Sequence, residues 1–177
     1  MTQRGRHTLA ELSTERLRMV SWTAELAEAV LHDTTQLETL LGVTVAEGFP
    51  NDPVRQFVLP NTLVRVRRDP SHGLWSGMII HTEDHRAIGS MGFKSPPDHN
   101  GAIEIGYDIA PAYQGQGYAT EMAREFVHWA LQQSAVRRIA AECLPDNWAS
   151  IRVLEKLGMQ RIAERQDMIY WEFPMPR

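Results

Sequence analysis

The chain has 177 residues, 43% hydrophobic and 23% charged, enough to bury the core of one globular domain. Its formal net charge of −4 leaves no basic excess to neutralise a phosphate backbone, so no nucleic-acid partner is expected. Cys143 is the only cysteine, which excludes an intramolecular disulfide and a cysteine-based metal cluster.

No repeat or linker is visible, and residues 1–177 read as one domain. Arg4 and Arg6 are not followed by an apolar stretch, and no window could span a bilayer. The default expectation is a cytoplasmic protein with no membrane association. Glu15 to Val20 alternates polar and apolar residues, as a half-buried strand does. Thr23 is placed to cap a helix whose apolar stripe is Leu26, Ala27, Val30 and Leu31. From Thr34 to Arg68 the pattern is helical but broken at Pro50, Pro53 and Pro60. The basic run Arg65-Val66-Arg67-Arg68 reads as a solvated helix end.

Leu74 to His81 and Ala87 to Lys94 flank a polar turn, as in an antiparallel hairpin, and Ala102 to Ile109 is a third strand. The next segment, Gln114-Gly115-Gln116-Gly117-Tyr118-Ala119, leads into a helix with Ala119, Met122, Ala123, Phe126, Val127 and Ala130 on its buried face. Arg138 to Leu144 is a strand that can lie parallel to the third across this helix, with Cys143 as a buried structural thiol. Asn147 to Leu157 is a helix closed by Gly158, and the strands Met159 to Glu164 and Asp167 to Phe173 finish the chain. The order predicts an α+β fold with a mixed, mostly antiparallel sheet.

The glycine-rich loop carries the strongest functional signal. Its two glycines let the backbone approach a ligand closely, and the helix N-terminus behind it attracts anions. The loop lacks the Gly-Lys-Ser/Thr ending of a nucleotide phosphate loop and is a poor match to a dinucleotide fingerprint, which remains a weak alternative. In the strand before it, Glu104, Gly106 and Asp108 share one face. Glu104 fits either a surface carboxylate or a functional one, and Gly106 leaves room beside it. Asn147 suits a helix N-cap, with the Ser150 hydroxyl in the first turn behind it.

Gln114, Gly117 and Ala119, in the setting from Ile103 to Gly158, resemble the phosphate-binding signature of the GNAT superfamily of N-acetyltransferases. The opening Thr14-Glu15-Arg16-Leu17-Arg18 and the Asn147-to-Ser150 spacing resemble its ribosomal-protein N-terminal acetyltransferase subfamily. The resemblance implies a central sheet of six to seven strands flanked by helices, with two parallel strands splayed around acetyl-CoA. It implies that the loop residues Gln114, Gly115, Gln116, Gly117, Tyr118 and Ala119 hold the pyrophosphate. Main-chain groups of Tyr107 and Ile109 would hold the pantetheine arm, with Asn147 contacting the same region. Glu104 would act as the base for the attacking amine, directly or through water, and a backbone N–H near Ile105 to Tyr107 would stabilise the tetrahedral oxyanion. The tyrosine that commonly protonates the departing thiolate is replaced by Leu154, and in the resembling subfamily a serine at Ser150 is assigned that role.

The acceptor is then a peptide N-terminus or a small-molecule amine, with aminoglycosides and polyamines among the possibilities. Its groove should be walled by the helices from Thr23 to Arg68 and the hairpin after Gln166. Asp33, Glu38, Glu47 and Asp52 would suit a cationic acceptor or simply lie on the surface. The alternative reading is a non-catalytic acyl-CoA-binding sensor on the same fold. Exposed edge strands near the C-terminus are compatible with a homodimer.

Overall fold

The computed structural model describes residues 11–175, so Arg4 and Arg6 lie outside the described region. The described residues form nine strands: β1 (Leu12–Ser13), β2 (Leu17–Ser21), β3 (Thr44–Val45), β4 (Ser76–His81), β5 (Arg86–Phe93), β6 (Ala102–Ile109), β7 (Arg138–Cys143), β8 (Gln160–Arg165) and β9 (Met168–Glu172), with apolar alternation clearest in β2, β7 and β9. They form one sheet in the order β1-β2-β4-β5-β6-β7-β9-β8, with β3 added in parallel beside β5. Every neighbouring pair on the main path is antiparallel except β6 and β7. The two strands beyond the expected six to seven are β1 and β3. Each has two residues, too few for alternation to reveal.

Five α-helices accompany the sheet: α1 (Ala24–His32), α2 (Gln36–Leu41), α3 (Leu59–Arg68), α4 (Tyr118–Leu131) and α5 (Trp148–Lys156). Thr23 caps α1 as its sequence position predicts, its hydroxyl accepting from the Leu26 N–H at 3.1 Å. The predicted break at Pro60 does not occur. The chain before it winds as a wide π turn over Val54–Val58, with the Leu59 N–H reaching the Val54 carbonyl, and Pro60 sits in the first turn of α3, where no N–H is needed.

Phe126 of α4 stacks on Phe93 at 4.5 Å and on Trp129 at 5.5 Å, and Trp129 meets Trp75 edge-on at 5.1 Å. This packing sets α4 on the sheet face that carries Phe93 and its cross-strand partner Ile105. The Lys94 end, Gly92 and Ser90 present the opposite face, where they stand across from Glu104, Gly106 and Asp108. Cys143 is buried and accepts from the Trp171 indole N–H at 3.3 Å, as a structural thiol does. Among the described residues no helix is long and apolar enough to cross a membrane.

Candidate active site

The glycine loop is shaped by backbone need. Gly115 and Gly117 have φ of +73° and +84°, a region side chains rarely enter. A Cβ on Gly115 would meet nothing within 4 Å, and one on Gly117 would find only the Arg16 guanidinium at 3.6 Å, so the space before α4 is open. The first N–H groups of α4 have no intrahelical acceptor. Its first turn is pinned from the start of the chain. Glu121 accepts from the Thr14 hydroxyl at 2.6 Å, the Arg16 N–H at 3.0 Å and the Arg16 Nε–H at 2.7 Å. Burial pushes the Glu121 carboxyl up, but these bonds and the Arg16 charge outweigh it and hold the pKa below the usual value. The same guanidinium lies 4.4 Å from the centre of the Tyr118 ring and donates to the Gln116 carbonyl at 3.2 Å.

Beside the loop the sheet opens. β6 and β7 are registered over only three pairs, Ala102–Arg138, Ile103–Ile139 and Glu104–Ala140, and then part. Lys94 sits at the root of the opening. Its ammonium pairs with Glu104 of β6 and, at 2.7 Å, with Glu142 of β7. Burial pulls the Lys94 pKa down, and the two carboxylates more than reverse it. Beyond this root the β6 main chain faces the gap. The Lys94 N–H donates to Glu104 O and the Ala110 N–H to Ile88 O, so even-numbered residues bond β5 while Ile105, Tyr107 and Ile109 turn their main-chain groups toward β7.

Two cavities lie on either side of this seam. One, of about 450 Å³, runs along the glycine loop and α5. Of the residues expected to hold a cofactor, Tyr107, Ile109, Gln114 and Gly115 line it, as do Gly117, Tyr118, Ala119 and Asn147. Gln116 does not; its amide donates to the Ala112 carbonyl at 3.0 Å while its own carbonyl serves Arg16. Ser150 lines the same cavity. Its N–H donates to the Asn147 side chain at 3.1 Å, so Asn147 caps α5 while also facing the cavity. Leu154, at the usual tyrosine position, is packed in the core at 1% exposure and lines neither cavity. The Gln114 amide donates to the Ile109 carbonyl at 2.8 Å, fixing the loop to the end of β6.

The second cavity, of about 490 Å³, lies between the Asn51–Val66 segment and strands β5 and β6. The β8–β9 hairpin takes no part in its wall, contrary to the expectation from sequence, and neither do Asp33, Glu38, Glu47 or Asp52. Asn51, Tyr107 and Asp108 line both cavities. Glu104 lines neither, its carboxylate being engaged by Lys94. The Tyr107 phenol, pushed by burial up to about 12, stays neutral and donates to the Ser150 carbonyl at 3.4 Å.

A family model described as an acetyltransferase (GNAT) domain matches residues 16–160. The chain belongs to the GNAT acetyltransferase family. The uncharacterized N-acetyltransferase YjdG of Bacillus subtilis (strain 168) is 32% identical over 162 residues, 90% of this chain and 96% of that protein. The crystal structure of a GNAT-family acetyltransferase from Bacillus anthracis superposes with a TM-score of 0.64 at 25% identity, covering 93% of this chain and 98% of that one. RimL, a ribosomal L7/L12 alpha-N-protein acetyltransferase solved with coenzyme A, shares the fold with a TM-score of 0.65 at 14% identity, covering 93% and 97%. Nine strands with a parted β6–β7 pair are thus a GNAT acyltransferase sheet, of the kind that includes RimL.

Three residues that line these cavities escape a reading of the sequence. Arg152 and Lys156 line the loop-side cavity from α5, in a stripe with Ala149 and Val153. Beside the buried Ile151 and Leu154 they look like ordinary exposed helix cations, yet their i, i+4 spacing continues the face that begins at Ala149. The third is Asp108. Alternation puts it on the Glu104 face, but only the pairing of β5 with β6 decides which carboxylate reaches a cavity.

Proposed function

We propose that this chain moves the acetyl group of acetyl-CoA to a primary amine, on a peptide N-terminus or a small molecule, by direct attack. The observation that carries this reading is that two cavities share Tyr107 and Asp108 as walls, on β6 beyond its last pair with β7. Acetyl-CoA fits the loop-side cavity as co-substrate. Gly115, Gly117 and the α4 N-terminus offer open space and unpaired N–H groups to its pyrophosphate, with Arg152 and Lys156 adding positive charge. The Tyr107 main chain and the Ile109 N–H face the gap and suit the amide-bearing pantetheine arm, the Ile109 carbonyl being held by Gln114. The thioester supplies an activated acyl carbon.

The protein's own groups supply orientation and proton handling. The N–H groups of β6 that turn into the gap suit a developing oxyanion, held there without competing water. Ser150, in the first turn of α5, is the hydroxyl proposed to hydrogen-bond the departing sulfur. Asn147 fixes that turn through its cap. The amine arrives as ammonium and must lose a proton before it can attack, which requires a base on the Glu104–Gly106–Asp108 face.

Titration with acetyl-CoA, followed by thiol release in the presence of amines, tests the reading. Wild-type protein should bind acetyl-CoA and release CoA only when an acceptor amine is present. Gly117→Val should abolish binding, because valine is strained at that φ and fills the phosphate approach. Binding that survives this change places the pyrophosphate elsewhere.

A further inference from the structure

We infer that Asp108, rather than Glu104, takes the proton from the acceptor, and that the acceptor is a monoamine borne on an apolar body of aromatic size. This rests on the acetyltransferase reading and deepens it.

The two carboxylates differ in what already holds them. Glu104 is committed to Lys94 at the root of the gap and reaches neither cavity. Asp108 lies four residues further along β6, about 13 Å away at the usual strand rise. It lines both cavities, with Asn51 and Tyr107. Its Oδ1 accepts from the Ser90 N–H at 3.1 Å and from the Ser90 hydroxyl, which fixes the carboxylate plane. Oδ2 has no hydrogen-bond donor among the described residues. Gly106 separates the two acids, and a Cβ there would meet nothing within 4 Å, so the acceptor can lie against the strand on its way to Asp108. Burial pushes the Asp108 carboxyl up to about 6, despite the Ser90 bonds. It is therefore ionised at neutral pH yet a better base than an ordinary aspartate.

The acceptor-side cavity defines the rest of the molecule. Trp22, Phe57, Trp75 and Phe93 contribute to its lining, and Asp108 is the only carboxylate among its described lining residues. Arg65 and Lys94 line it as well. A polyamine or aminoglycoside would bring further ammonium groups into a space with no second carboxylate and with two cations, which is costly. A single ammonium with an aromatic-sized apolar body meets one anion and an apolar wall.

The proton balance is complete. The ammonium gives one proton to Asp108, and the free amine attacks the thioester carbon. The C–N bond forms, the C–S bond breaks, and the nitrogen's second proton passes to the departing thiolate. The products are the amide and CoA thiol, and Asp108 returns its proton to solvent.

The test follows thiol release from acetyl-CoA with 2-phenylethylamine, tryptamine and spermidine, alongside acetyl-CoA affinity by calorimetry. Wild type should turn over at least one aromatic monoamine faster than spermidine. Asp108→Asn should lower kcat/KM on the order of 100-fold with acetyl-CoA affinity retained, the retained affinity serving as proof of folding. Asp108→Glu should restore part of the rate, and Glu104→Gln should lose less than Asp108→Asn. A larger loss in Glu104→Gln, full activity in Asp108→Asn, or preference for spermidine overturns the assignment. So does acetyl-CoA binding with no turnover of either monoamine. Failure of wild type to bind acetyl-CoA at all would instead defeat the acetyltransferase reading beneath it.

Discussion

Burial pushes the Asp108 carboxyl up to about 6, against the pull of the Ser90 hydroxyl and N–H. A carboxyl whose folded pKa exceeds its ordinary value of 3.8 contributes stability at pH values below 3.8 and loses it as pH rises through about 6. Asparagine cannot ionise but keeps an oxygen for both Ser90 donors. Asp108→Asn should therefore match wild type near pH 4 and exceed its stability at pH 8, by on the order of 2 kcal/mol. Urea unfolding of both proteins at the two pH values measures this, and a variant whose advantage over wild type is no larger at pH 8 than at pH 4 contradicts the burial of the charge. A residue that weakens the fold at working pH yet lines both cavities is placed for chemistry rather than for stability. The sequence displayed both acids on one strand face but could not rank them. Ser90 stands 18 residues before Asp108, and Lys94 answers Glu104 only once β5 and β6 pair. The glycine loop was legible because its requirements are local: two positive φ values and a helix start within four residues.

Among the elements, α5 shows how one short helix divides its faces. Ile151 and Leu154 are buried, while Ala149, Arg152, Val153 and Lys156 follow the i, i+3, i+4, i+7 rows along the loop-side cavity. If Arg152 and Lys156 meet the phosphates of CoA, replacing either by alanine should weaken acetyl-CoA binding about tenfold, the loss shrinking at high salt. Affinity for acetyl-pantetheine, which lacks those phosphates, should not change. Calorimetry with both ligands at two salt concentrations decides it; equal losses on the two ligands would mean the cations only support the helix. Where prolines govern, the sequence reading was less successful. Pro60 reads as a helix end because it cannot donate, but the π turn over Val54–Val58 lets the helix run on and carries Phe57 and Arg65 to the acceptor-side cavity. That adjustment depends on packing across the sheet, which no local pattern records.

At the scale of the whole molecule, the sheet is two unequal parts joined by three registered pairs. One part runs from β1 to β6 and the other comprises β7, β9 and β8. The Tyr107 main chain and the Ile109 N–H, which would ordinarily continue the ladder, face the gap instead. A ligand with its own amides, lying in that gap, replaces the missing strand partner and ties both parts together. Binding to the folded state alone stabilises it by about 2.7 kcal/mol at a hundred times the Kd. For a chain of this size each kcal/mol shifts Tm by roughly 2–4 °C, so saturating acetyl-CoA should raise Tm by about 5–10 °C. The rise should grow with the logarithm of ligand concentration and be absent in Gly117→Val. Hydrogen exchange gives the same idea a location. On binding, the amides of Tyr107 and Ile109 should slow, while those of Ile105, already paired with β7, and of Gly106 and Asp108, turned toward β5, should change little. Uniform slowing across β6, or none at those two amides despite a raised Tm, would show that the ligand stabilises the fold from the loop alone and leaves the gap unbridged.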